Sequence, residues 1–240
     1  MLTELIERLP LLRGLLDFAF PPLCTGCGAF SEDPSGLCPT CVKSIDWYED
    51  PFCLTCGDFV PRGVNCTRCG EQSLLLFPAG NYIDPLKMAV VNYKFHGATK
   101  LAGTIADKAV EQFGDRIRKV TPSLLLPIPL HPSREHQRGY NQAAVFAEAL
   151  AERLSLPVES ALLFRDKKKR PQARLRKSAR AANVRGVFGV DSERALETAG
   201  DRLLLVDDVV TSGETVREAR RTLVDAGLEV VGVISMAHGL

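Results

Sequence analysis

Along the 240-residue chain, short apolar runs alternate with stretches whose apolar residues recur every three or four positions. Leu203, Leu204, Leu205 and Val206 form a run short and apolar enough for a strand buried on both faces. Val216, Ala219, Leu223 and Ala226 then recur at helical steps. Residues 74–84 predict a strand and turn, followed by a helix with Leu86, Ala89, Val90 and Tyr93 on one face and Gly97 at its end. A helix over 101–113 precedes an apolar strand at 124–129, whose exit Pro127, Pro129 and Pro132 make rigid. The next helix begins at Asn141 and carries Ala143, Ala147, Leu150, Ala151 and Leu154. Short strands are predicted at 157–164 and 187–190, and a last one at 228–236. This alternation predicts an α/β fold: a mostly parallel sheet flanked by helices, with ligand at the carboxyl ends of the strands. The pattern divides the chain into 1–22, 23–73 and 74–240. In the first part Leu5, Leu9, Leu12 and Leu16 share one face of an amphipathic helix that Pro10 kinks, expected to pack on its own protein.

Composition adds two exclusions. No apolar run approaches the length of a membrane span, so no transmembrane segment is expected. The apolar N-terminus carries Glu4, Glu7, Arg8, Arg13 and Asp17, unlike a secretion signal, and a cytoplasmic location is expected. Apolar content of 45% and charged content of 25% suit a globular protein. The net charge of +1 conceals a strong asymmetry. Between 165 and 185 lie ten of the 30 Lys/Arg but one of the 29 acids, Asp166. The rest is acidic, so this segment reads as an anion-binding element, a lid over a ligand or a contact to a nucleic-acid backbone. Its lack of aromatic residues weakens a base-stacking role.

All eight cysteines fall into four Cys-x-x-Cys pairs: Cys24/Cys27, Cys38/Cys41, Cys53/Cys56 and Cys66/Cys69. Ten residues separate the first two pairs and nine the last two, which suits two tetrahedral Cys₄ zinc sites. Four thiolates close the coordination, so both ions are expected to be structural. Sequential pairing is the leading arrangement, with cross-bracing left open by the spacing. Loading both sites takes the formal charge from +1 to −3, which Lys43, Arg62 and Arg68 can offset. Serine at Cys27 or Cys56 is expected to cost zinc and unfold this module while sparing the main domain.

Chemistry concentrates after the run at 203–206. Asp207 and Asp208 follow it, then Thr211, Ser212, Gly213, Glu214 and Thr215 at a helix start. Free N–H groups in such a turn, with the helix dipole behind them, favour an anion. Two acceptor-only carboxylates instead favour vicinal hydroxyls or a divalent cation. One ligand with a 5′-phosphate beside a diol would engage both halves. The proline-fixed turn carries Arg134 and Arg138 next to a helix N-terminus, a fit for pyrophosphate. Lys94 can reach a phosphate or solvate its helix end, and His96 reads as a surface or capping residue. Gln172, Arg180 and Asn183 can add hydrogen bonds from the basic segment.

LLLVDDVVTSGET resembles the phosphoribosyl pyrophosphate (PRPP) signature of type I phosphoribosyltransferases, with Ser212 where that family often has threonine. The order of the double Cys₄ module, Tyr-Lys-Phe-His-Gly, Pro-Ile-Pro-Leu with Arg-Gly-Tyr-Asn-Gln, the basic loop and this signature is similar to the ComF family of bacterial competence proteins. The resemblance implies a type I phosphoribosyltransferase-like domain behind a double zinc ribbon. It implies ribose hydroxyls on Asp207 and Asp208, the 5′-phosphate on 211–215, and Mg²⁺ accompanying PRPP. It also implies a link to uptake of transforming DNA. The expected activity is transfer of phosphoribosyl to an acceptor the sequence does not name. The competing expectation is a non-catalytic PRPP sensor or single-stranded-DNA-handling factor, with a DNA-translocation protein as partner. The oligomeric state is not legible.

Overall fold

The computed structural model describes residues 21–33, 35–95, 97–165 and 186–239. The expected N-terminal helix, His96, and the basic segment with Gln172, Arg180 and Asn183 lie outside the described residues. Among the described residues no helix is long and apolar enough to cross a membrane.

The cysteine-rich segment contributes a short helix α1 (Pro39–Ser44) and strand β1 (Phe52–Cys53). Strand β2 (Leu75–Asn81) leads into helices α2 (Leu86–Phe95) and α3 (Lys100–Lys119). Strand β3 (Leu124–Pro127) is followed by α4 (Pro132–Arg138) and α5 (Gln142–Leu154). Strands β4 (Leu163–Arg165) and β5 (Phe188–Val190) pair antiparallel, flanking the basic segment, before the short helix α6 (Ser192–Glu197). Strand β6 (Arg202–Val210), helix α7 (Glu214–Asp225) and strand β7 (Glu229–His238) complete the chain.

The main sheet has the order β1-β2-β7-β6-β3, parallel throughout except for β1 against β2. Alternation along the strands feeds two cores. Leu204 and Val206 join Phe77, Tyr93, Phe113 and Phe146 on the side of α2, α3 and α5. Leu203 and Leu205 join Leu76, Leu126, Val216 and Leu223 on the side of α7 and the β4–β5 pair. Burial on both faces is why these strands read as unbroken apolar runs. The expected α/β architecture with a mostly parallel sheet is the one observed.

Several bounds shift for physical reasons. β6 runs on through the acidic pair to Val210, because Asp207, Val209 and Val210 keep pairing with Ser235, Ala237 and His238 of β7. α3 extends well beyond 113, its polar last turn engaged by the cysteine-rich segment: Arg116 donates to Val60 O at 2.9 Å, Pro61 O at 2.7 Å and Asp50 Oδ1 at 2.9 Å. The proline-fixed turn contains α4, begun by Pro132 with the His131 side chain capping Ser133 N, and ended by Gly139 at φ 81°. Its proline serves as a first-turn residue, where the missing N–H costs nothing. The strand expected at 157–164 reduces to a bridge from Val158 to Leu125 and the separate β4.

The cysteine-rich segment is not a separate bead on the sheet. Phe52 and Cys53 extend the sheet by pairing with Leu76 and Leu75. Cys24, Cys41, Cys53 and Cys66 lie in the same core as Leu75, Phe77 and Tyr93. Asn92 and Thr104 donate to Thr25 O and Ser35 O at 2.7 and 3.0 Å, adding polar ties.

Candidate functional site

Two consecutive residues of a strand point to opposite faces, so the acidic pair at the end of β6 serves two neighbourhoods. Asp208 is buried, and its Oδ1 lies 3.0 Å from Lys94 Nζ, with both side chains largely out of solvent. Lys94 was expected to reach a phosphate or solvate its helix end; the structure turns it inward onto this carboxylate. Beneath it, Tyr93 donates to Gln142 O at 2.7 Å, and Tyr140 donates to Tyr93 O. Burial, above all, raises the Tyr93 phenol's pKa, so it stays a neutral donor.

Asp207 is half-buried and accepts from Asp208 N at 2.8 Å. Burial, followed by repulsion from Asp208, pushes its carboxyl up to about 7, against the pull of Lys94 and Arg165. Arg165 closes β4 and lies over the Phe188 ring, 5.4 Å from its centre. Burial and the neighbouring Arg134 lower its affinity for its proton, and among the described residues its buried Nε meets no hydrogen-bond partner. In sequence Arg165 merely opens the basic segment. Only the fold brings it to Asp207 and Arg134, so no local signal could have singled it out. Arg134 itself is exposed, whereas Arg138 donates to Gln142 Oε1 at 2.7 Å and covers the Phe95 ring at 4.8 Å.

Beyond Val210 the chain turns through Thr211 and Ser212, both exposed, to Gly213 at φ 75°, which starts α7. The backbone N–H groups of 211–215 donate to no acceptor among the described residues. They form an anion-ready cradle at a helix start. Gly213 is required twice over, by its positive φ and by crowding: an added Cβ would meet Arg217 at 3.2 Å and Leu54 at 3.3 Å. Gly213→Ala is therefore expected to destabilise the protein by about 1–2 kcal/mol. A urea unfolding midpoint equal to that of wild type would show that the loop relaxes instead.

The eight cysteines form two sequential clusters, Cys24, Cys27, Cys38 and Cys41, then Cys53, Cys56, Cys66 and Cys69. Within each, all sulfurs lie within 4.8 Å of one another, which excludes cross-bracing. Cys27 and Cys38 are 3.9 Å apart and Cys56 and Cys66 3.5 Å, close to the roughly 3.8 Å edge of a tetrahedral zinc–thiolate site. Burial opposes ionisation of Cys24, yet N–H donors from Cys38, Cys27 and Gly26 bring it down to about 6. Burial and the neighbouring cysteines push Cys69 up to about 12. In the first cluster Cys24 ionises readily while burial and neighbouring cysteines push Cys41 up, and in the second Cys53 comes down to about 7 while Cys69 resists, a donor set that a Zn²⁺ ion would complete.

The double zinc ribbon family matches residues 15–70, and the phosphoribosyltransferase domain family matches residues 141–239. Competence protein F of Haemophilus influenzae is 29% identical over 90% of this chain and 96% of its own length. Competence protein ComFC of Bacillus subtilis is 27% identical over 80% of this chain and 79% of its own. The chain is a homologue of the ComF competence proteins. A further relative of this ComF homologue, the DNA utilization protein YhgH of Escherichia coli, is 25% identical over 85% of the chain and 91% of its own length. The matched phosphoribosyltransferase segment holds β6 and the cradle, while Lys94, Arg134 and Arg138 lie ahead of it.

Proposed function

We propose that this chain binds PRPP with Mg²⁺ and transfers its phosphoribosyl group to an acceptor, in support of the competence and DNA utilization for which its relatives are named. One observation carries the reading: a cradle of free N–H groups follows directly on an acidic strand end with a cation on each face. In this reading Asp207 and Asp208 accept from the ribose hydroxyls, and Thr211, Ser212, Gly213, Glu214 (through its backbone) and Thr215 hold the 5′-phosphate. Lys94 pairs with Asp208 until a hydroxyl arrives. Arg134 and Arg138, joined by Arg165, favour departing pyrophosphate, and Gln172 and Arg180 of the basic segment add hydrogen bonds to it. The carboxylates oppose the positive charge that grows at the anomeric carbon as its bond to pyrophosphate breaks.

Mg²⁺ supplies charge neutralisation on the pyrophosphate. Among the described residues only the cysteine clusters gather three or more ligand atoms closely, so the substrate's own oxygens would hold most of that ion. The alternative, a DNA-handling factor that senses PRPP or carries single strands to a translocation partner, is favoured by the basic segment and by the relatives named for DNA utilization. Calorimetric titration of PRPP with Mg²⁺ into wild type and Asp208→Asn tests the main reading. Saturable binding to wild type, lost in the variant, is expected. No binding to either sinks the transferase reading and leaves DNA handling, recognised by salt-sensitive binding of single-stranded DNA.

A further inference from the structure

The second cysteine cluster lies against the cradle. Its first knuckle, Cys53 to Cys56, lines a cavity of about 350 Å³ together with Thr211, Ser212, Arg217 and His238. One side chain crosses between the two. Arg217, in the first turn of α7, donates through one guanidinium nitrogen to Ser212 O at 2.6 Å and through the other to Leu54 O at 2.5 Å. Leu54 sits between the metal-site residue Cys53 and the knuckle turn, is nearly inaccessible, and is anchored by its own N–H to Leu74 O at 2.8 Å. Its side chain and the Arg217 guanidinium are the two groups that crowd Gly213. A second contact comes from behind: Phe52 packs on the His238 ring at 4.9 Å, and His238 Nδ1 lies 2.8 Å from Val210 O, the last carbonyl before the cradle.

We propose that Arg217 is a positioning residue that fastens the cradle to the second zinc ribbon, so that the folded ribbon holds the loop in its anion-ready shape. The loop's N–H groups have no acceptors among the described residues, where its conformation is fixed from the carbonyl side and by packing. Arg217 takes the carbonyl of Ser212, Leu54 fills the space beside Gly213, and both forces originate at the ribbon's knuckle. The Glu214–Arg217 ion pair at 3.2 Å is solvent-exposed and contributes little by itself, but it keeps the guanidinium aimed along the loop. An anion then binds a preformed site instead of one it must first order.

The test uses Arg217→Met, Arg217→Lys, Leu54→Ala and the Arg217→Met/Leu54→Ala double variant, each as the full-length chain with its zinc content measured. Two readouts are taken: amide hydrogen exchange without ligand at residue 217, whose N–H donates to Gly213 O at 2.9 Å, and in the helical turn after it, and PRPP affinity by calorimetry. Arg217→Met is expected to keep its zinc, exchange several-fold faster there, and bind PRPP about tenfold more weakly. Arg217→Lys, which can reach one carbonyl but not both, falls between. Leu54→Ala weakens both readouts, and the double variant does less than the product of the two singles, as groups sharing one structural tie must. Unchanged exchange in Arg217→Met, or fully additive effects, would overturn the proposal. The affinity arm rests on the PRPP reading and the exchange arm does not. If wild type binds no PRPP while exchange responds as described, the substrate reading fails and the fastening of the loop stands.

Discussion

Asp207→Asn is expected to make the ligand-free protein more heat-stable above pH 7 while destroying its affinity for PRPP. The sign follows from the carboxyl's position. Folding raises it from an ordinary 3.8 to about 7, because burial and Asp208 both disfavour its charge. Between those values the folded state holds a proton that the unfolded chain has lost, so stability falls as pH rises through that window. Above pH 7 the ionised group is a constant penalty. Asparagine removes the charge yet keeps an oxygen to accept from Asp208 N. Allowing for water reaching a half-buried group, the gain should be about 1–3 kcal/mol, or roughly 3–8 °C in a chain of this size. Thermal scans from pH 8 down to pH 4 should show the difference between variant and wild type shrinking. Binding should weaken by about 100-fold or more, since an acceptor for a ribose hydroxyl is replaced by an amide with half its accepting capacity and no charge. A midpoint that drops at pH 8 would mean the acidic pair carries no such strain. Stability set against binding at one residue is the mark of a site kept for a ligand.

Zinc removal is the other large effect. A structural zinc ion contributes on the order of 10 kcal/mol to the fold of its module, comparable with the whole stability of a typical domain. Here the loss does not stay local. Cys53 is fully buried, its strand pairs with β2, and Arg116 and Arg217 tie the same ribbon to α3 and α7. Stripping both ions with a chelator should lower the thermal midpoint by at least about 10 °C for the entire chain, in a single transition with the main sheet. Serine at buried Cys53 should approach that result, whereas serine at exposed Cys27 should cost its ion with a smaller fall. This revises the expectation that cysteine variants spare the main domain. Two well-separated transitions, the later one at the holoprotein's temperature, would restore the picture of independent modules.

The pattern of residues determined a good deal of this protein. The apolar runs at 203–206 and 124–126 had to be strands buried on both faces, because alternation is lost only when both faces meet a core. Leu86, Ala89, Val90 and Tyr93 had to share a buried helix face, and all four do. Four Cys-x-x-Cys pairs fixed the metal chemistry, because sulfur spacing within a pair is a local property of the chain. Asn141 announced a helix start for the same reason: its side chain caps Ala143 N two residues on, at 3.0 Å. What tertiary structure decided is everything set by partners distant in sequence. β6 carries two carboxylates within its ladder because β7 supplies their backbone partners, which no polarity profile can register. Lys94 meets Asp208 across 114 positions of sequence, and Arg165 approaches Asp207 across 42. The ribbon reaches the cradle through Arg217 and Leu54, 163 positions apart. Local sequence specifies which backbone shape and which ligand atoms are present; only packing of remote elements decides which charges face one another, and therefore what the site can hold.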